Sequence, residues 1–219
     1  MRRSRAGAVA LLALAATLAM AAPAVAAPRF ERIAGVKAPG TPAKYDKVGV
    51  LEFGRKTAPN VLILNPGTSA SAAYFAPLAR TVVGKAKSWQ VWAVERRENL
   101  LEDQSVLNKL KAGRVKGKKL FDYYLNFTTD KSITDHFQFI PDSTVGFARQ
   151  WGMKTEIGDL RRVVQLAQRR HARKVVVGGH SLGGSITTAY ATWDFNGVAG
   201  ARGLAGLVFI DGASSPTPV

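Results

Sequence analysis

Apolar and polar positions along the chain follow two rhythms. Wholly apolar runs at residues 61–64, 91–94, 175–177 and 207–210 have the length and β-branched or aromatic content of strands covered on both faces. Residues 48–54 alternate as an earlier strand, closed by the turn-like Thr57-Ala58-Pro59-Asn60. Between the strands the spacing becomes helical. Residues 72–85 put Tyr74, Phe75, Leu78, Ala79 and Val82 on one side, and residues 155–170 do the same for Ile157, Leu160, Val163, Val164 and Ala167. Arg169, Arg170 and His171 then fall at the negative end of that helix's dipole, which makes His171 a surface residue. A further helix begins near Ser185, and residues 204–212 read as one more buried strand with its turn. Strands alternating with helices predict an α/β fold, a mostly parallel sheet with helices on both faces.

Two stretches break the rhythm. Residues 28–47 are punctuated by Pro and Gly and read as extended. Residues 99–154 read as a partly helical insertion, packed over the mouth of the sheet like a lid. The insertion carries Lys109, Lys111, Arg114, Lys116, Lys118 and Lys119, the run Phe121-Asp122-Tyr123-Tyr124-Leu125, and a loop through His136 to Pro141. Its charges suit a solvated helix face and its aromatics a small local core. Glu95-Arg96-Arg97-Glu98, just before it, reads as the exposed end of a strand with mutual ion pairs.

Composition sets the compartment and the partners. Arg2, Arg3 and Arg5 precede an apolar segment at residues 6–20 and the small-x-small site Ala24-Val25-Ala26, the three-part plan of a secretory signal peptide over residues 1–26. Residues 27–219 then form one domain, secreted or associated with the cell envelope. With no Cys, neither disulfides nor thiolate chemistry is available. The formal net charge is +16, and without the three leader arginines 28 basic residues face 15 acidic ones, or +13. Such a surplus favours an anionic membrane or envelope polymer, and no nucleic-acid motif accompanies it. Oligomeric state is not encoded in any pattern of these residues.

The chemistry concentrates at residues 174–185, KVVVGGHSLGGS. Strand, glycine-rich turn and helix follow one another, and within them Gly179-x-Ser181-x-Gly183 is a G-x-S-x-G elbow. At such a corner the serine backbone is strained, and the positions two residues away must lack side chains that would collide. The hydroxyl is thereby lifted beside the first free N–H groups of the next helix. Neither a Walker loop nor a G-x-G-x-x-G fingerprint is present, so a phosphate-binding reading of these glycines fails.

The succession of strand, Pro66-Gly67-Thr68 loop, helix, strand, insertion, helix, strand, GGHSLGG, helix and strand ending in Ile210-Asp211-Gly212 resembles the α/β-hydrolase superfamily over residues 48–211. The resemblance implies an esterase- or lipase-like serine hydrolase that needs no metal or cofactor and takes small ester or lipid-like substrates. It makes Ser181 the nucleophile, the backbone N–H groups of Leu182 and Thr68 the oxyanion hole, and Asp211 a candidate acid. Two departures stand out. Pro66-Gly67 occupies the place of the superfamily's usual His-Gly, and no His follows Ser181, where the superfamily carries its general base. His180 falls at the variable elbow position, His171 before the strand, and His136 reaches Ser181 only if the insertion folds back. The expectation is therefore the N-terminal portion of a longer hydrolase, with the catalytic His missing. The rival expectation is a hydrolase-like envelope protein without catalysis, held to an anionic polymer or membrane by its basic surface.

Overall fold

The computed structural model describes residues 27–170 and 172–212. Residues 1–26, on which the signal-peptide expectation falls, His171 and residues 213–219 lie outside the described residues.

Six strands form one sheet: β1 (Arg29–Ala34), β2 (Lys47–Phe53), β3 (Asn60–Asn65), β4 (Trp89–Glu95), β5 (Lys174–His180) and β6 (Gly206–Ile210). Their spatial order is β1-β2-β4-β3-β5-β6. The β1–β2 and β2–β4 pairs are antiparallel, whereas β4, β3, β5 and β6 run parallel, so their carboxyl ends share one rim. Helices cover both faces, as expected. On one, α4 (Met153–Arg169) and α5 (Leu182–Thr192) bury Ile157, Leu160, Val163, Val164, Ile186 and Tyr190 against β2 to β5. On the other, α1 (Ala76–Lys85) and the 3₁₀ turn Ala72–Phe75 bury Phe75, Ala79 and Val83 against Phe53, Leu64 and Val91.

The structure corrects the sequence reading in several places. Tyr74 and Leu78 are exposed although they were expected on the buried side of a helix over 72–85. A 3₁₀ turn advances three residues per turn, so the chain enters α1 with a shifted phase and buries Val83 instead. The expected buried strand near the C-terminus, β6, pairs on its β5 side, and Leu207, Val208 and Phe209 are exposed because among the described residues it is the edge of the sheet. Arg170 is held by carboxylates as well as lying at the end of α4: it pairs with Glu31 at 2.7 Å and Glu52 at 2.5 Å, tying the helix end to β1 and β2.

The insertion is partly helical, with α2 (Ser105–Lys111) and α3 (Gly117–Tyr124) packed together. Its aromatics form a local cluster: Phe127 stacks on His136 at 4.2 Å, Phe137 meets Phe139 edge-on at 4.8 Å, and the Tyr123 hydroxyl donates to Asp103 at 2.7 Å. It leaves β4 on the rim shared by the parallel strands, yet Ser181 remains exposed.

Glu95, Arg96 and Arg97 at the end of β4 are buried, contrary to the exposed strand end that their density suggested, whereas Glu98 is partly exposed and forms the expected ion pair with Arg96. Arg97 is fully enclosed. Its Nε and Nη2 donate to the two oxygens of Asp159 at 2.8 and 2.7 Å, Nη1 donates to Asp46 at 2.9 Å, and Nη2 also donates to the Val36 carbonyl at 2.8 Å. Asp159 in turn accepts the Val36 N–H at 2.8 Å. One guanidinium thus joins α4, the loop after β1 and the start of the insertion. Replacing Arg97 by Met strands a buried carboxylate, and the expected loss in urea denaturation is about 3–5 kcal/mol. Removing the exposed Lys118–Asp122 pair, by contrast, is expected to change stability by less than about 0.5 kcal/mol.

Candidate active site

Steric exclusion at the β5–α5 corner builds the site. A Cβ on Gly179 would lie 2.2 Å from the Gly183 carbonyl carbon, and one on Gly183 would lie 2.0 Å from the Asn65 carbonyl oxygen. The crossing strand and helix therefore admit only hydrogen at these two places. Between them Ser181 adopts φ 52° and ψ −122°, a left-handed conformation that side chains avoid and that turns the chain abruptly from β5 into α5. Its backbone is pinned from both sides. The Ser181 N–H donates to the Ile210 carbonyl at 3.4 Å, and its own carbonyl accepts the Gly184 N–H at 2.8 Å. The side chain is exposed at the rim rather than buried.

The Pro66-Gly67-Thr68 loop lies against it. A Cβ on Gly67 would sit 3.2 Å from the Ser181 Cβ and 3.0 Å from His180 Nδ1. A side chain at this position would press on Ser181 and His180, so glycine suits the close approach of the loop. Thr68 is exposed next to this contact, and Leu182 supplies the first free N–H of α5. Ser181, Thr68 and Leu182, singled out from the sequence, come together. Asp211 is exposed at φ 45°, directly after the residue that bonds the elbow, and accepts no hydrogen bond among the described residues. His180 stacks on Tyr74 at 4.9 Å, bracing the turn. His136 does not fold back: its ring lies on Phe127, with Nδ1 2.9 Å from the Phe137 carbonyl. Among the described residues no imidazole is hydrogen-bonded to Ser181.

Sequence reasoning missed the residues that hold the loop. Buried Arg96 donates from Nη1 to the Pro66 carbonyl at 2.6 Å and from Nη2 to the Gly67 carbonyl at 2.9 Å, while its Nε pairs with Glu98. With both carbonyls fixed, the peptide N–H groups that follow are turned toward the rim. Asn65, also buried, donates from Nδ2 to the Gly178 carbonyl at 3.1 Å and so joins the oxyanion strand to the elbow strand. Glu95 accepts the Ala72 N–H at 2.5 Å where the loop turns toward α1. The available signal was charge immediately after an apolar run; only the packing of three segments around it decides that it is enclosed. Glu156, at the start of α4, lies behind this network. Burial raises its pKa first, the Glu98 and Asp159 carboxylates add to that, and Arg96 and Arg97 oppose it, leaving the carboxyl pushed up to about 8.

No family model matches the chain, and no curated protein matches it by sequence. Solved structures do. A candidate lipase from Sulfolobus solfataricus aligns at a TM-score of 0.52 and 16% identity, over 85% of this chain and 45% of its own. A thermostable carboxyl esterase from Bacillus coagulans gives 0.45 and 14%, over 82% and 43%. An α/β-hydrolase fold protein of unknown function gives 0.48 and 12%, over 86% and 45%. The chain spans less than half the length of each of these proteins. At such identities the likeness is one of fold. Together with the strand order and the elbow on β5, it gives this chain the α/β-hydrolase fold.

Two outcomes follow for the residues behind the site. Arg96→Gln frees the Pro66 and Gly67 carbonyls, and is expected to slow phosphonylation of Ser181 by a fluorophosphonate, in which Oγ displaces fluoride from phosphorus, about 10- to 100-fold, less than the loss of a backbone donor itself. Glu156 makes stability depend on pH. Below its ordinary value of 4.5 it is neutral whether the chain is folded or not. Between 4.5 and about 8 the unfolded chain releases a proton that the folded chain keeps, so stability falls across this window and levels off above it. Thermal unfolding from pH 4 to 9 should show that decline in the parent and a flatter profile in Glu156→Gln.

Proposed function

We propose that the protein is an exported serine hydrolase acting on small ester or lipid-like substrates. The observation that carries the reading is the conformation of Ser181: a strained, exposed serine with a glycine-cleared loop and a free helix N–H beside it. A fold needs no such strain for its own stability. Attack by Ser181 Oγ on the ester carbonyl carbon places negative charge on the carbonyl oxygen, where the Leu182 and Thr68 N–H groups receive it. Collapse expels the alcohol, which takes up the serine proton, and leaves the acyl group on Oγ; water then cleaves that ester and restores the hydroxyl. Export rests on the leader-like residues 1–26.

Deprotonation of the hydroxyl limits this cycle. His136 and His180 are engaged with Phe127 and Tyr74, and the described residues bring no imidazole to Ser181 by hydrogen bond. An oxyanion hole and binding alone support about three to four orders of magnitude over water. The 219-residue chain is accordingly expected to react slowly with a fluorophosphonate probe and faster when free imidazole is added. Ser181→Ala should abolish the labelling, and the labelled protein in culture medium should begin at Ala27. Failure to label even with imidazole, or labelling that survives Ser181→Ala, overturns the proposal.

A further inference from the structure

A second cleft, of about 930 Å³, opens along the outer face of α4 and contains none of Ser181, Thr68 or Leu182. Five cationic side chains line it: Lys37 from the loop after β1, Arg149 from the segment before α4, and Lys154, Arg161 and Arg162 from the helix. Asp194 is the single acidic residue of its lining, and one of its carboxylate oxygens already accepts the Gly197 N–H. None of the five cations forms an ion pair with a carboxylate among the described residues, whereas Arg29, Arg96, Arg97, Lys118, Lys119 and Arg170 do. Cations gathered in a concave site repel one another, so the cleft holds a positive potential that its walls concentrate.

The arrangement selects a kind of anion. Lys154 and Arg161 stand seven residues apart on one helix face, roughly 10 Å along the axis at 1.5 Å per residue. Lys37 and Arg149 extend the positive lining beyond the helix. A single ion cannot meet all of these groups, whereas a chain with repeated anionic groups can. The site is recessed, which suits a thin linear polymer that can enter better than the flat headgroup plane of a bilayer. Half-buried Trp193 and Phe195 form an apolar wall suited to the uncharged spacer between anionic groups. Phe195 is not free to stack with a nucleobase, because Arg161 covers its ring at 4.0 Å and Tyr190 flanks it at 5.6 Å.

We propose that this cleft binds a linear polyol- or sugar-phosphate polymer, tethering the protein to it independently of the chemistry at Ser181. The test uses the purified 219-residue chain and a fluorescent poly(glycerol phosphate) of about ten units, with anisotropy read over a series of salt concentrations. The parent should bind with a salt dependence set by several displaced counterions. Arg161→Gln/Arg162→Gln should weaken binding at least about tenfold and reduce the log–log salt slope by about one to two. The exposed single change Arg162→Gln should give a smaller loss in the same direction, and serves if the double variant does not fold. Lys109→Gln/Lys111→Gln removes equal charge from the insertion and should leave affinity within about twofold. An equal loss in that control, tighter binding of a single-stranded DNA of matched charge, or equal binding to phosphatidylglycerol vesicles that is equally sensitive to the cleft variants would each overturn the proposal.

Discussion

No methyl group fits between β5 and α5. Gly179 and Gly183 meet across the corner, and the Asn65 carbonyl rests on Gly183, so strand, helix and oxyanion loop approach to the limit of backbone contact. Everything the rim can do follows from that closeness. The serine between the two glycines has no relaxed conformation compatible with both neighbours, and its hydroxyl is left at the surface instead of in the core. The same closeness fixes the distance between the hydroxyl and the loop after β3. The strained serine and the loop beside it are thus one piece of backbone geometry.

Behind that corner two adjacent arginines divide the labour. Arg96 faces the loop and holds two of its carbonyls, while Arg97 faces the opposite way and binds α4 and the β1 loop through Asp159 and Asp46. Arg96 is the last extended residue and Arg97 opens the 3₁₀ turn Arg97–Leu101, and this change of backbone lets consecutive residues serve the site and the scaffold separately. Both guanidiniums are buried and fully engaged, a use for which a planar fork of donors is better suited than an ammonium.

The parts legible in the sequence were those fixed by local rules. Apolar runs located β2 to β6, the buried stripe of α4 fell on Ile157, Leu160, Val163, Val164 and Ala167, and the glycine spacing located the strained serine. The parts that were not legible depend on which segments meet. Nothing in the spacing of residues 95–98 shows that Asp46 and Asp159, far away in the chain, converge on Arg97. Strand composition cannot separate an edge from a centre, so β6 read as buried. A single 3₁₀ turn before α1 rotates the helix enough to exchange Leu78 for Val83 in the core. The cationic cleft was visible as a surplus of charge, but its assembly from the loop after β1, the segment before α4 and the helix itself was not.

The insertion leaves the core after β4, which ends at Glu95, and rejoins it at α4, which begins at Met153, so the excursion between them hangs from one strand end and one helix start. The entropy of closing such a loop grows with the logarithm of its length, and doubling it costs only about 0.6 kcal/mol. Residues 99–154 form most of that excursion; α2, α3 and the aromatics up to Phe139 pack on one another, while Phe147 and Trp151 near its end pack on Tyr45 of the loop after β1. Insertions, deletions or wholesale exchange in this stretch would leave the sheet nearly untouched, which makes the rim around Ser181 the part of the molecule freest to diverge between lineages.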